Sequence, residues 1–143
     1  MLDLNNSFEK KTLPILSLIQ RTFKKLNKHE ELTLNFSGEE SLFLRFNSGK
    51  ARQVTSVNQG ILNLNFVENS RSLNYRIQIS GVDEVDSSRI DLALKFCREK
   101  VKSLPEDPFI VAIENNGVTN EHFKGKLPCI ENVSKNLLLF HKE

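Results

Sequence analysis

Gln59-Gly60-Ile61-Leu62-Asn63-Leu64-Asn65-Phe66, then Glu68-Asn69-Ser70-Arg71, then Ser72-Leu73-Asn74-Tyr75-Arg76-Ile77-Gln78-Ile79 is the stretch on which the fold turns. Apolar residues fall at alternate positions on both sides of a polar break, the period of a strand with one buried face. The break has the Asn/Ser chemistry of a tight turn, so two neighbouring strands follow. Upstream, Leu32, Leu34 and Phe36 alternate with polar residues, and Leu42, Leu44 and Phe46 do so again. Ser37-Gly38-Glu39-Glu40 and Asn47-Ser48-Gly49-Lys50 read as the hairpin connections around the second of these runs. Ala51 to Val57 supplies a weaker strand, and Asn58-Gln59-Gly60 leads from it into Ile61. The expectation is a meander of about five strands with one apolar face.

Outward from the meander the period changes to that of a helix. Downstream, Ile90, Ala93, Leu94, Cys97, Val101 and Leu104 form one stripe, with Asp86 or Ser87 as N-cap and Pro105 as the stop. Upstream, Ser7 to Leu26 places Leu13, Ile15, Leu16, Ile19, Phe23 and Leu26 near helical spacing. A proline fits only the first turn of a helix, so Pro14 predicts that regular helix begins near Thr12. The fold class is therefore α+β, an antiparallel sheet of about five strands with two helices packed on one face. Phe109-Ile110-Val111-Ala112-Ile113 is apolar enough to add a strand. The polar Glu114-Asn115-Asn116-Gly117 then ends the domain, which gives residues 1–113 as the α+β domain and 114–143 as an extension or the start of a next region. In that extension Leu137-Leu138-Leu139-Phe140 is an apolar quartet that calls for cover.

With 143 residues, 38% hydrophobic and 27% charged, the composition is that of one globular domain. No apolar run approaches the roughly 18 residues of a membrane span. The opening Met1-Leu2-Asp3-Leu4-Asn5-Asn6 lacks the basic and apolar regions of a signal peptide, which predicts a cytoplasmic protein with reduced Cys97 and Cys129. On the same ground the glycosylation patterns at Asn5 and Asn132 have no consequence. A net charge of +2 does not argue for nucleic acid, and Lys10, Lys11, Lys24, Lys25 and Lys28 read as solvated helix faces.

Candidate chemistry is sparse. His29, His122 and His141 are far apart, and none begins a His-Glu-x-x-His or His-Glu-x-x-x-His pattern, although Glu30 and Glu31 follow His29. His29 reads as a solvated residue at the exit of the first helix. Cys97 lies on an apolar stripe, where a buried structural thiol is the better reading. A nucleophile at Cys129 with His122 would lack a third group to orient the histidine. Glu39 with Glu40, and Asp83 with Glu84 and Asp86, are acidic clusters at turns, where an acid/base pair would require a cleft. The second cluster also suits the positive end of the following helix. The reading assigns no catalytic, cofactor or metal residue.

Three stretches carry a family resemblance: Ser41-Leu42-Phe43-Leu44-Arg45-Phe46-Asn47-Ser48-Gly49-Lys50, then Ala51-Arg52-Gln53-Val54-Thr55-Ser56, then Gln59-Gly60-Ile61-Leu62-Asn63-Leu64-Asn65. With the loop Glu68 to Arg71, the helix Ser87 to Leu104 and the closing Pro105-Glu106-Asp107-Pro108, their order and spacing resemble the N-terminal domain of the TldD/PmbA family, also called modulator of DNA gyrase. Asn69-Ser70-Arg71-Ser72 stands where that family commonly has a Gly-Arg-Trp-Gly-like turn. The resemblance implies a dimeric zinc-dependent peptidase whose His-Glu-x-x-x-His helix lies downstream of this domain, so no catalytic residue carries over. The implied role is assembly of a two-subunit shell or substrate admission, with zinc in a full-length relative and a protein or peptide as partner. The alternative is a stand-alone protein- or peptide-binding module without enzymatic activity.

Overall fold

The structure is a computed structural model that describes residues 4–48, 50–112, 114, 117, 119, 121, 123 and 125. The chain runs as helix α1 (Leu4–Phe23), strands β1 (Glu30–Asn47), β2 (Lys50–Glu68) and β3 (Arg71–Ile79), and helix α2 (Asp83–Val101). The α+β class, the antiparallel sheet and the two helices are as the periodicity predicts. The strand count is not: among the described residues the sheet has three strands in the order β1-β2-β3.

Two pairs of expected strands are single long ones. Ser37-Gly38-Glu39-Glu40 lies inside β1 and Asn58-Gln59-Gly60 inside β2, both in continuous strand. Turn-forming residues bend a chain only where nothing else fixes their backbone, and here a neighbouring strand does. Gly60 has a packing reason to be in a strand. A Cβ there would stand 3.1 Å from Cε2 of Phe36 and 3.4 Å from Cβ of Ile79, so an aromatic ring occupies the space a side chain would take.

The turns at the strand ends are where the residues predict them. Asn69 and Ser70 both have positive φ, 51° and 56°, the signature of a two-residue hairpin turn whose twist matches the strands it joins. From that turn β2 and β3 pair antiparallel, from Glu68 opposite Arg71 to Gly60 opposite Ile79. The expected strand at Phe109–Ile113 does not form at residues 109–112, and Ile113 lies outside the described residues.

Helix α1 starts at Leu4, earlier than Thr12, and carries Pro14 in its interior. An internal proline forfeits a backbone hydrogen bond at a cost of about 3 kcal/mol. The turns after it offset this by docking: Leu18 and Thr22 are buried, Ile15 and Ile19 pack on the core, and the Thr22 hydroxyl donates to the Leu18 carbonyl at 2.8 Å. Helix α2 also starts a turn early, with Val82 as N-cap and no side-chain cap, so neither Asp86 nor Ser87 caps it. Of its expected stripe, Ile90, Ala93, Leu94, Cys97 and Val101 are buried against Leu62, Leu64 and Phe66 of β2, Leu32 of β1, Ile79 of β3 and Leu18 of α1, while the helix ends at Val101 and leaves Leu104 beyond it.

The chain groups into two compact units, Met1–Glu40 with Asn58–Ile113, and Ser41–Val57 with Glu114–Glu143. The first contains the helices and the core just described. In the second, β1 and β2 meet at a turn where Ser48 has φ 49°, and Leu42, Phe43 and Val54 are exposed. No helix among the described residues is long and apolar enough to cross a membrane.

Candidate functional site

The first unit contains a cavity of about 280 Å³. Its apolar floor draws on every layer of that unit: Ile15 and Leu18 from α1, Phe36 from β1, Gly60 from β2 and Ile79 from β3. The rim is polar, formed by Glu39, Glu40, Asn58 and Gln59 from the strands, by Ser80 and Gly81 from the β3–α2 connection and by Asp83 and Asp86 from the start of α2. The two acidic clusters, more than forty positions apart in the chain, thus share one concavity. Glu84 is in the first turn of α2 but does not line it.

Each carboxylate has a defined environment. The Asp86 side chain is only 2% exposed. It accepts hydrogen bonds from the Ser80 N–H, the Ser80 hydroxyl and the Gly81 N–H, all at 2.8 Å. Gly81 has φ 84°, a left-handed conformation that costs glycine least, and this turns its N–H toward the carboxylate. Asp83 pairs with Arg21 of α1. That hydrogen bond, with the guanidinium's charge, holds the Asp83 carboxyl below its usual range and raises Arg21. Gln59 donates its amide to Glu39 at 2.7 Å.

A second buried acid sits elsewhere in the first unit. Glu30 accepts from Arg98 at 2.7 and 2.8 Å and from the backbone and amide N–H groups of Asn27 at 2.9 and 2.8 Å. These bonds, Arg98 first, lower its pKa to about 2 against the resistance of burial. Arg98 also donates to the Lys25 carbonyl at 2.8 Å, tying α2 to the link between α1 and β1. Nothing in the spacing of Glu30 and Arg98, 68 positions apart, signals this pair.

Other residues singled out by the sequence are placed as follows. Cys97 is buried and unpaired, and burial pushes its thiol up, opposite to what a nucleophile needs. His29 is exposed after α1, and Lys24, Lys25 and Lys28 are exposed beside it. Cys129, His122, His141 and the Leu137–Phe140 quartet lie outside the described residues. Among the described residues no group of three or more His, Cys, Asp or Glu side chains is arranged to hold a metal ion.

Arg71 marks a third feature that the sequence did not signal. It donates to the Leu104 carbonyl at 2.8 Å and to Glu106 at 2.8 Å, while the Asp107 N–H donates to the Ser70 carbonyl at 2.7 Å. The β2–β3 turn thereby straps down the segment after α2. Comparison with known protein families, with curated protein sequences and with solved structures finds no match.

Proposed function

We propose that this chain is a non-catalytic domain of the TldD/PmbA type, with assembly and substrate admission as its role and peptide as the ligand it admits. The observation that carries the reading is the chemistry of the cavity: an apolar floor under a rim of carboxylates, carboxamides and backbone groups. A rim rich in acceptors suits a ligand that donates, as the N–H groups and ammonium groups of a peptide do, while the floor takes an apolar side chain. The carboxylates favour holding over proton transfer. Asp86 is committed to three donors, and Arg21 holds the Asp83 carboxyl below its usual range, further from the operating pH at which a general acid/base works best.

The test is to isolate the natural gene product and measure its intact mass and zinc content, alongside binding of a labelled peptide to the 143-residue chain. A larger product with stoichiometric zinc, and peptide binding weakened in Asp83→Asn or Ile15→Glu, is the expected result. A zinc-free product of 16.4 kDa that still binds peptide would leave a stand-alone binding module and remove the peptidase association. No peptide binding would remove substrate admission.

A further inference from the structure

The ribbon Ser41–Val57 of the second unit has two unlike faces. Strand β1 ends at Asn47 and β2 begins at Lys50, so the connection is two residues long, and Ser48 has the positive φ that such a turn uses. Asn47 then faces Lys50, and the period of two sets Arg45 opposite Arg52 and Phe43 opposite Val54. Burial follows this register. Phe43, Arg45, Lys50, Arg52 and Val54 are exposed, Phe43 at 53% and Val54 at 63%, whereas Leu44 and Phe46 are half-buried. Gln53 donates to Thr55 on the opposite face.

One face therefore carries an apolar pair beside three cations, and residues 41–57 contain no carboxylate. Like charges directly opposite on neighbouring strands repel, so setting Arg45 against Arg52 costs stability in the isolated protein. The first unit treats its cations differently: Arg21, Lys25, Arg71, Arg89 and Arg98 each face a carboxylate. Among the described residues Arg45, Lys50 and Arg52 have no such partner. The chain's net charge of +2 averages over this local excess.

We propose that this face binds single-stranded nucleic acid, its cations taking phosphates and the Phe43 ring stacking on a base. Guanidinium groups form paired hydrogen bonds to phosphate. Lys50 and Arg52, alternate residues of one strand, stand about 6.6 Å apart along it, near the separation of successive phosphates in an extended polynucleotide. An unpaired base offers the ring a flat apolar face, which a duplex keeps inside its stack. An anionic bilayer suits the cations but not the rest. Entering tip first, the ribbon would take Asn47, Ser48 and the backbone groups of the turn into hydrocarbon. Lying flat, it offers only Phe43 and Val54 for burial. An acidic peptide would satisfy the guanidinium groups and leave the ring without a planar partner.

The proposal stands on the ribbon and is independent of the TldD/PmbA reading and of the cavity. The experiment is fluorescence anisotropy of labelled oligo(dT) and oligo(U) with the 143-residue chain over a range of salt concentrations. With three phosphates engaged, the logarithm of the binding constant is expected to fall with the logarithm of salt at a slope of about −2. Arg45→Gln with Arg52→Gln should bring that slope to about −0.7. Phe43→Ala should weaken binding roughly tenfold and leave the slope unchanged, which a loss of charge would not do. The altered side chains are all exposed, and the arginine variant keeps the test decisive if Phe43→Ala does not fold. Absence of binding at high micromolar protein in low salt, binding indifferent to both variants, or equal affinity for a duplex would overturn the proposal. Binding to phosphatidylserine vesicles with none to either oligonucleotide would replace it with a membrane surface, and full displacement of the oligonucleotide by polyglutamate at equal charge would replace it with an acidic peptide.

Discussion

The two ends of α2 each hold a buried carboxylate, and they hold it by different means. Near the C-terminal end, Arg98 reaches Glu30 across 68 positions, and the pair joins α2 to the start of β1. In the first turns, Asp86 reaches back only five or six positions to Ser80 and Gly81, with backbone N–H groups and a hydroxyl in place of a direct cation; the nearest guanidinium, Arg89, is 3.8 Å away. Both side chains are 2% exposed. The difference separates two uses of a buried charge: one closes the tertiary structure, the other shapes a local turn at the rim of a cavity. The first depends on a partner that a single substitution removes, whereas the second is distributed over the backbone.

The largest expected effect is at the long-range end. Arg98→Ala leaves Glu30 buried without its cation, and a loss of about 3–5 kcal/mol in urea unfolding is expected. Glu30→Met with Arg98→Met removes both charges and is expected to recover much of that loss. If the double variant is as unstable as the single one, the pair is not the cause. Acid probes the same end. The Glu30 pKa falls from 4.5 unfolded to about 2 folded, so its contribution is complete above pH 4.5 and is lost as pH falls through 2. The amount is about 3 kcal/mol, readable as a drop in stability over that window that Glu30→Gln abolishes.

At the other end, Asp86→Ala orphans the Ser80 and Gly81 donors and is expected to cost about 2–3 kcal/mol at neutral pH. Asp86→Asn keeps an acceptor oxygen and should cost less. Equal losses for Arg98→Ala and Asp86→Ala would erase the distinction drawn here. Under the cavity, Gly60→Ala forces the Phe36 ring to yield a few tenths of an ångström, and a loss of about 1 kcal/mol is expected. The smallest effect is at the exposed Arg21–Asp83 pair, where Arg21→Ala should leave the unfolding midpoint unchanged.

What could be read from the residues follows from the range of the forces involved. The core stripe of α2, the alternation of β2 and β3 and the turns at Asn69-Ser70 and Asn47-Ser48 are set by nearest neighbours, and all were legible. Strand continuity was not, because Ser37-Gly38 and Asn58-Gln59-Gly60 carry turn chemistry and only a neighbouring strand, with the Phe36 ring over Gly60, holds them extended. Pro14 misled for the same reason: burial after it outweighs the local penalty. Of the cavity, each acidic cluster was visible and their meeting was not, since Glu39 and Asp83 come together only once α2 docks. Glu30 reads as one of two glutamates after His29 until Arg98 is placed against it.

The β2–β3 ladder joins residues from three positions apart at Glu68 and Arg71 to nineteen apart at Gly60 and Ile79. It can close stepwise from its turn, each rung shortening the loop for the next, whereas the Arg98–Glu30 clasp must gather 68 residues in one event. The hairpin is thus expected to be in place at the folding transition state and the clasp to form after it. Removing the clasp should then leave the folding rate nearly unchanged and appear almost wholly as faster unfolding. Arg98 would set how long the molecule stays folded, while the hairpin sets how quickly it gets there.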